Sequence, residues 1–209
     1  MTAHDPDEQK AAEKFLELDF VQCFTHMRHY ETQNVDILKF TFTAYVALMG
    51  VAVGLYQFSK KENLDLIPIS TAILSIGLLY GVFMLSLIVR NRVYFVVVSR
   101  YINEHRRHFL RLKPFRFENR ARMYVSLDQP RFFNWRSGQS YQLYLLALLN
   151  SSVLSAIMFP YVPPSSTLCA FAFMLLTQLF GAIQYLKSRE TLSTDTAVFG
   201  SDGPSDLVK

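Results

Sequence analysis

A chain of 209 residues could form one compact domain, but 51% hydrophobic residues and a mean hydropathy of +0.16 favour a small membrane protein over a soluble one. The formal net charge of +4 combines an acidic start with a basic middle, so it gives little support to a nucleic-acid partner. The acidic, polar amino terminus is also unlike a secretory signal peptide, which is basic and then apolar.

Residues 1–36 are predicted to form an amphipathic cytoplasmic helix. An apolar stripe that includes Phe15, Leu18 and Val21 is interrupted by carboxylates, and eight acidic against three basic residues give a net charge of −5. Helices that lie on a lipid surface usually carry Lys and Arg on the polar face. An acidic helix is therefore expected to pack on protein, and the basic segment after Val89 is the expected partner.

Four apolar runs are each long enough to cross the roughly 30 Å of hydrocarbon in a bilayer. They predict an all-α integral membrane protein with four transmembrane helices, paired as hairpins over residues 37–89 and 141–186. The runs are Ile37 to Phe58, Leu66 to Val89, Tyr141 to Val162 and Thr167 to Leu186.

Two glycine pairs with GxxxG spacing allow close helix packing, either within the chain or between subunits. They are Gly50 with Gly54 and Gly77 with Gly81.

Residues 90–140 form a basic cytoplasmic segment. From Arg90 to Arg136 there are twelve basic and three acidic residues, a net charge of +9, whereas the two opposite turns carry no net charge. The positive-inside rule therefore predicts a multi-pass protein of the cell inner membrane with both termini in the cytoplasm. Because no Gly or Pro lies between Val89 and Pro114, the second membrane helix should continue beyond the lipid, and the rod from Leu66 should be roughly 70 Å long.

Arginines of this segment are the candidate site for an anionic ligand, a nucleotide or an anionic lipid headgroup, unless they serve only to set the topology. The candidates are Arg100, Arg106, Arg107 and Arg111.

An aromatic group beside further arginines predicts either an interfacial anchor or a small buried cluster. Its members are Phe132, Phe133 and Trp135. The tail, residues 187–209, is polar and is predicted to be disordered.

The membrane runs contain no Asp, Glu, Arg or His, and only Lys39 near one end, which argues against an ion-coupled transporter. Their neutral polar side chains must find partners, either on a neighbouring helix or in a water-filled pore between subunits. The residues selected on this ground are Asn150, Ser151, Ser155 and Gln178.

Enzymatic, metal and cofactor sites are not predicted. Cys23, His26 and His29 recur every three residues, a step that rotates them around a helix, and no fourth ligand accompanies them. The sequence contains no Gly-rich phosphate loop, no nucleophile elbow and no paired carboxylates in a catalytic arrangement. Cys23 and Cys169 are far apart, which predicts reduced thiols.

The layout resembles the small multi-pass membrane effectors of prokaryotic antiphage defence systems, including the SLATT-like group. The resemblance rests on an amino-terminal helix, a membrane hairpin at residues 37–89 and a helical extension at residues 90–112, and the chain departs from it by adding residues 141–186. It implies an oligomer that perturbs the membrane when a cytoplasmic partner signals.

Arg100 and His105 also match the loose arginine and histidine spacing of HEPN-type ribonucleases, but Tyr101 stands where that family prefers a polar residue.

These observations lead to two expected functions. The first is a homo-oligomeric, channel-like or membrane-perturbing protein that a cytoplasmic protein or nucleotide gates through the basic segment. The second is a non-conducting membrane anchor or accessory subunit for a cytoplasmic or membrane partner.

Overall fold

The computed structural model describes residues 6–111, 119–120, 125–126 and 128–192, and within them every regular element is an α-helix. The helices are α1 (Pro6–Glu62), α2 (Ile67–Arg111), α3 (Gly138–Met158) and α4 (Pro164–Leu192). All four are long and apolar enough to cross a membrane, which confirms the prediction of four membrane-length helices.

Helix α1 runs unbroken through the boundary that separated the predicted amphipathic helix from the first membrane run. Its 57 residues extend for about 85 Å. No proline or glycine lies between Pro6 and Gly50, so the change of composition near Ile37 alters the environment of the helix without ending it. The two predicted elements are therefore one rod.

Helix α2 is also continuous past the apolar run, as predicted. It spans 45 residues, or about 68 Å, and ends at Arg111. The two shorter helices, α3 with 21 residues and α4 with 29, are close to the length that a bilayer requires. The long pair therefore extends beyond the short pair at one end.

The turn between α1 and α2 is closed by a Schellman motif. Asn63 adopts the left-handed conformation with φ 52, and the Leu64 N–H donates to the Ser59 carbonyl at 3.2 Å. Asn63 suits this position because asparagine tolerates positive φ better than most residues. A hydrogen bond of 2.9 Å between the Thr71 and Tyr161 hydroxyls joins this turn to the α3–α4 turn, and we call this side of the bundle the turn end.

At the opposite side, the loop end, α1 and α2 continue together as an extension formed by residues 6–34 and 91–111. The extension begins where the Asn91 amide donates to the Asn34 side chain at 2.9 Å. Farther out, the Tyr101 hydroxyl donates to Asp19 at 2.5 Å, and the ring of Tyr30 stacks on that of Tyr94 at 5.8 Å. The acidic amino-terminal helix therefore contacts the predicted partner, α2.

Two apolar clusters hold the four helices together. The cluster near the loop end includes Ile88, Val96 and Leu146, and it also takes in Phe132 from the α2–α3 loop. The cluster near the turn end contains Tyr45, Ala52, Leu74 and Val153. Helices α2 and α3 each contact the three other helices, so they form the centre of the bundle.

Candidate functional site

Arg100 lies inside the loop end, and its side chain is only 5% exposed. Its guanidinium donates to the backbone carbonyl of Pro130 at 3.2 Å and to that of Asp128 at 3.4 Å, and it forms an ion pair with Glu190 on α4. Buried charges need both a counter-charge and hydrogen-bond partners, and the chain itself supplies them here. The residue predicted to bind an external anion is thus occupied by the protein's own carboxylate.

Arg92, two helical turns earlier on α2, binds the same loop. Its Nε donates to the Phe132 carbonyl at 2.9 Å and its Nη1 to the Gln139 side chain at 2.9 Å, and Nη2 donates to the Arg131 carbonyl. The planar guanidinium suits this role because it offers five donors in a fixed fork. Arg92 therefore fixes the loop at the point where α3 begins.

Asn103 fixes the other side of the loop. Its amide nitrogen donates to the carbonyls of Ser126 and Gln129, at 2.9 and 2.6 Å. We call the set of Arg92, Arg100 and Asn103, with the loop carbonyls and Glu190, the arginine clamp. Arg92, Arg100 and Asn103 share one face of α2 by helical spacing, so a single face of this helix carries all three side chains that α2 contributes to the clamp.

Glu190 connects the clamp to α4. One carboxylate oxygen pairs with Arg100, and the other accepts the Phe132 backbone N–H at 3.0 Å. The Phe132 ring is only 2% exposed, and the Arg100 guanidinium lies 4.7 Å from its centroid. The clamp therefore ties α2, the loop and α4 into one unit.

The other predicted arginines are placed differently. Arg106 is half-buried and Arg107 is exposed on the extension, while the Arg111 side chain lies outside the described residues. Residues 187–192 of the predicted disordered tail continue helix α4, because its hydrogen bonding extends past the apolar run, and the rest of the tail lies outside the described residues. None of the hydrogen bonds of the clamp comes from Arg106 or Arg107. The described arginines that are exposed at or beyond the loop end are Arg28, Arg90, Arg107, Arg120, Arg131 and Arg136.

The aromatic group before α3 has one buried ring and one exposed ring. Phe132 belongs to the apolar core, whereas Trp135 is 62% exposed and packs edge-on against Phe133 at 4.8 Å. Because Ser137 caps α3 two residues later, Trp135 lies immediately before a membrane-length helix. An exposed indole at that position is typical of an interfacial anchor.

A second group of polar residues lies among the membrane helices, and we call it the membrane polar cluster. The Tyr45 hydroxyl on α1 donates to Asn150 Oδ1 on α3 at 2.6 Å, and Asn150 Nδ2 donates to Gln178 Oε1 on α4 at 2.7 Å. Gln178 Nε2 reaches the Met174 carbonyl at 3.3 Å. Asn150 is fully buried, so its amide is satisfied by helix–helix contacts.

Gly81 on α2 makes room for this cluster. A Cβ atom at Gly81 would lie 1.6 Å from the Tyr45 hydroxyl and 2.3 Å from Asn150 Oδ1, so no side chain fits there.

The two glycine pairs differ in their surroundings. Gly77, one turn before Gly81, is close to Leu48 of α1, whereas Gly50 and Gly54 have no atom within 4 Å of a built Cβ. The α2 pair packs within the chain, and the α1 pair faces outward from the described bundle.

The two remaining polar candidates bond within their own helix. The hydroxyls of Ser151 and Ser155 donate to the carbonyls four residues earlier, Ala147 and Ser151, at 2.8 and 3.0 Å. Such bonds satisfy a hydroxyl in hydrocarbon without a partner helix or water.

Sequence reasoning missed several residues of these groups. Glu190 and Tyr45 act through partners 90 and 105 positions away in sequence, and no local pattern indicates such pairs. Arg92 and Asn103 could have been found, because their spacing with Arg100 places all three on one face of α2.

No protein-family model matches the chain, and neither the curated proteins nor the solved structures contain a match to it.

Proposed function

We propose that this chain is a non-conducting membrane anchor that presents the α1–α2 extension to a protein partner in the cytoplasm. One observation carries the proposal: the two amides predicted to line a conducting path, those of Asn150 and Gln178, are bonded to each other inside the bundle, and the Ser151 and Ser155 hydroxyls are bonded to carbonyls of their own helix. Asn150 is fully buried between Tyr45 and Gln178, so its amide is not available to line a path for water or ions.

The rigid attachment of the extension supports the same function. An anchor must hold the extension, which contacts the partner, at a fixed position relative to the four-helix bundle. The arginine clamp holds the loop and α4 against α2, through Arg100 and Glu190, at the level where the extension leaves the bundle. Exposed Phe15, Leu18 and Val21 along the outer part of α1 give the extension an apolar stripe for a partner.

The proposed location is the inner membrane, with the loop end and both termini in the cytoplasm. The charge of the loop segment supports it, together with an uncharged α3–α4 turn and an α1–α2 turn whose two lysines are balanced by two acids. Exposed Arg90, Arg131 and Arg136 beside Trp135 would then face anionic headgroups, which makes the lipid surface the proposed anionic partner.

This orientation predicts a labelling pattern. In a chain with Cys23→Ser and Cys169→Ser, Glu62→Cys at the turn end should react with a membrane-impermeant maleimide added to intact cells. Arg136→Cys at the loop end should react only after the cells are permeabilised. Both positions are exposed, so accessibility differs only by the side of the membrane. Labelling of Arg136→Cys in intact cells would invert the proposed topology.

A second candidate function is the homo-oligomeric, channel-like or membrane-perturbing protein, which would act as a defence effector. The outward pair Gly50 and Gly54 favours it, because this pair lies beside exposed Val46 and Val53 with no described part of the chain packed on it. Glycines flanked by β-branched residues allow two membrane helices to approach closely. In that case, a path for water or ions would have to form between subunits.

Ion release from liposomes distinguishes the two functions. For the anchor, purified protein should leave potassium-loaded liposomes as tight as protein-free ones. Asn150→Leu should then reduce stability by about 1–2 kcal/mol, as expected for a hydrogen-bonded membrane amide, without causing a leak. A leak that Gly54→Leu abolishes, and that Gly181→Leu on the open face of α4 does not, would instead establish the oligomeric function.

A further inference from the structure

A cavity of about 460 Å³ lies inside the extension, on the side of α2 that faces α1 and the clamped loop. Its apolar walls come from Phe24 and Met27 of α1 and from Phe95 and Ile102 of α2, and Pro130 of the loop closes one side. This volume lies within the range of about 300–1,000 Å³ that is common for small-molecule sites. The cavity lies in the extension, beyond the apolar runs at residues 37–58 and 66–89 that are proposed to cross the membrane.

Ser99 provides a polar group in the cavity that the protein leaves unused. The residue is 6% exposed, it lines the cavity, and its hydroxyl has no hydrogen-bond partner among the described residues. Elsewhere in the helices, serines such as Ser86 and Ser151 donate to the carbonyl four residues earlier. A buried hydroxyl without a partner is unfavourable, and a ligand that bonds to it would remove that cost.

Charge limits the class of ligand. Among the described residues that line the cavity, only Glu31 is charged, and it is exposed. The two clamp arginines are directed into the loop carbonyls and Glu190, so they are not among the lining residues. Arg92 interacts electrostatically with Glu31, but its guanidinium is bonded to the Phe132 and Arg131 carbonyls and to Gln139. A nucleotide or another anion would meet the Glu31 carboxylate and no cation among the described lining residues, which is unfavourable.

The loop wall of the cavity is held in place by the clamp. Asn103 lines the cavity, and its amide binds the carbonyls of Ser126 and Gln129, both of which also line it. The cavity is therefore bounded by groups with fixed hydrogen bonds, and binding would require little rearrangement of the backbone.

We propose that this cavity is a binding site for a small amphipathic molecule that is neutral or carries one positive charge. The apolar body of the molecule would lie against Phe24 and Phe95, a polar group would bond to the Ser99 hydroxyl, and an ammonium would lie near Glu31. The site does not depend on which of the two functions above is correct, because a ligand here could regulate either an anchor or an oligomer.

Two fluorescent probes with the same dansyl body test the proposal: dansylcadaverine, which ends in an ammonium, and N-dansyl-6-aminohexanoic acid, which ends in a carboxylate. The full chain is placed in nanodiscs of zwitterionic phosphatidylcholine, and empty nanodiscs supply the background. We expect saturable binding of dansylcadaverine, about fivefold tighter than that of the anionic probe, as a single exposed ion pair would provide. Glu31→Gln should remove the difference, whereas Glu17→Gln, an equally exposed carboxylate on α1, should leave it unchanged.

Filling the cavity supplies the second arm of the test. Met27→Trp should weaken the binding of both probes at least tenfold, and Phe24→Trp serves as the alternative filling variant if the circular dichroism of Met27→Trp shows lost helix. The proposal is wrong if neither probe saturates above the empty nanodiscs, if filling the cavity leaves binding unchanged, or if the anionic probe binds more tightly.

Discussion

Replacing Arg100 by methionine should lower the free energy of unfolding by about 2–3 kcal/mol. The substitution keeps the apolar stem but removes an ion pair and two hydrogen bonds to loop carbonyls. Breaking a buried pair costs about 3–5 kcal/mol, and the value is reduced here because Glu190 is 38% exposed and can be partly solvated. Unfolding in mixed detergent and SDS micelles would measure the loss.

Arg107→Met is the matched control, since Arg107 is an exposed arginine on the same helix. Its effect should stay within about 0.5 kcal/mol. Arg100→Lys should restore little, because one ammonium cannot reach Glu190 and the carbonyls of Asp128 and Pro130 together. Equal losses for Arg100→Met and Arg107→Met would contradict the structural role of the clamp.

Loss of the clamp should also release the loop from α2. Trypsin should then cleave after Arg131 and Arg136 faster in Arg100→Met than in the unmodified chain. A double-mutant cycle with Glu190→Gln would isolate the pair, and its coupling energy should exceed about 1 kcal/mol because the two side chains are in direct contact. A cycle with no coupling would mean that Glu190 acts through the Phe132 N–H alone.

Gly81→Ala should destabilise the membrane bundle by about 3 kcal/mol. The added methyl group would occupy the position of the Tyr45 hydroxyl and crowd Asn150 Oδ1, at 1.6 and 2.3 Å. Overpacking typically costs about 1–3 kcal/mol, and displacing Tyr45 would also leave the Asn150 amide without one of its two side-chain partners. The same micelle unfolding assay would detect the change.

The control is Gly181→Ala on α4, where a built Cβ meets no atom within 4 Å, and its effect should be within about 0.5 kcal/mol. On a Tyr45→Phe background, which removes the closest atom, Gly81→Ala should cost less than in the unmodified chain. If Gly81→Ala and Gly181→Ala have the same effect, Tyr45 does not occupy the position that the structure gives it.

The predicted all-α class and the predicted number of membrane-length helices agree with the structure. Runs of apolar residues predicted the four helices because the length of hydrocarbon and the rise of a helix set the required number of residues. The absence of proline and glycine between Val89 and Pro114 predicted that α2 continues past its apolar run, and it does so to Arg111. The same reasoning, applied to the segment between Pro6 and Gly50, would have predicted that α1 is one helix.

The roles of individual polar residues depended on the tertiary structure. Arg100 looks like any other arginine in a count of positive charges, and only the folded loop and Glu190, 90 positions away, make it a buried structural cation. Likewise, two GxxxG pairs are equivalent in sequence, but Gly81 faces Tyr45 and Asn150 while Gly54 faces no other part of the described chain.

The amino-acid sequence was therefore sufficient to predict an all-helical chain, its four membrane-length helices and the concentration of positive charge between the second and third of them. These properties follow from hydrophobicity summed over about 20 residues and from backbone hydrogen bonding, which are local. Which arginines are buried, which glycines pack and where a cavity is left became visible only in the folded chain. Those outcomes depend on which side chains from distant parts of the chain come within hydrogen-bonding or van der Waals distance, and that is set by the packing of all four helices together.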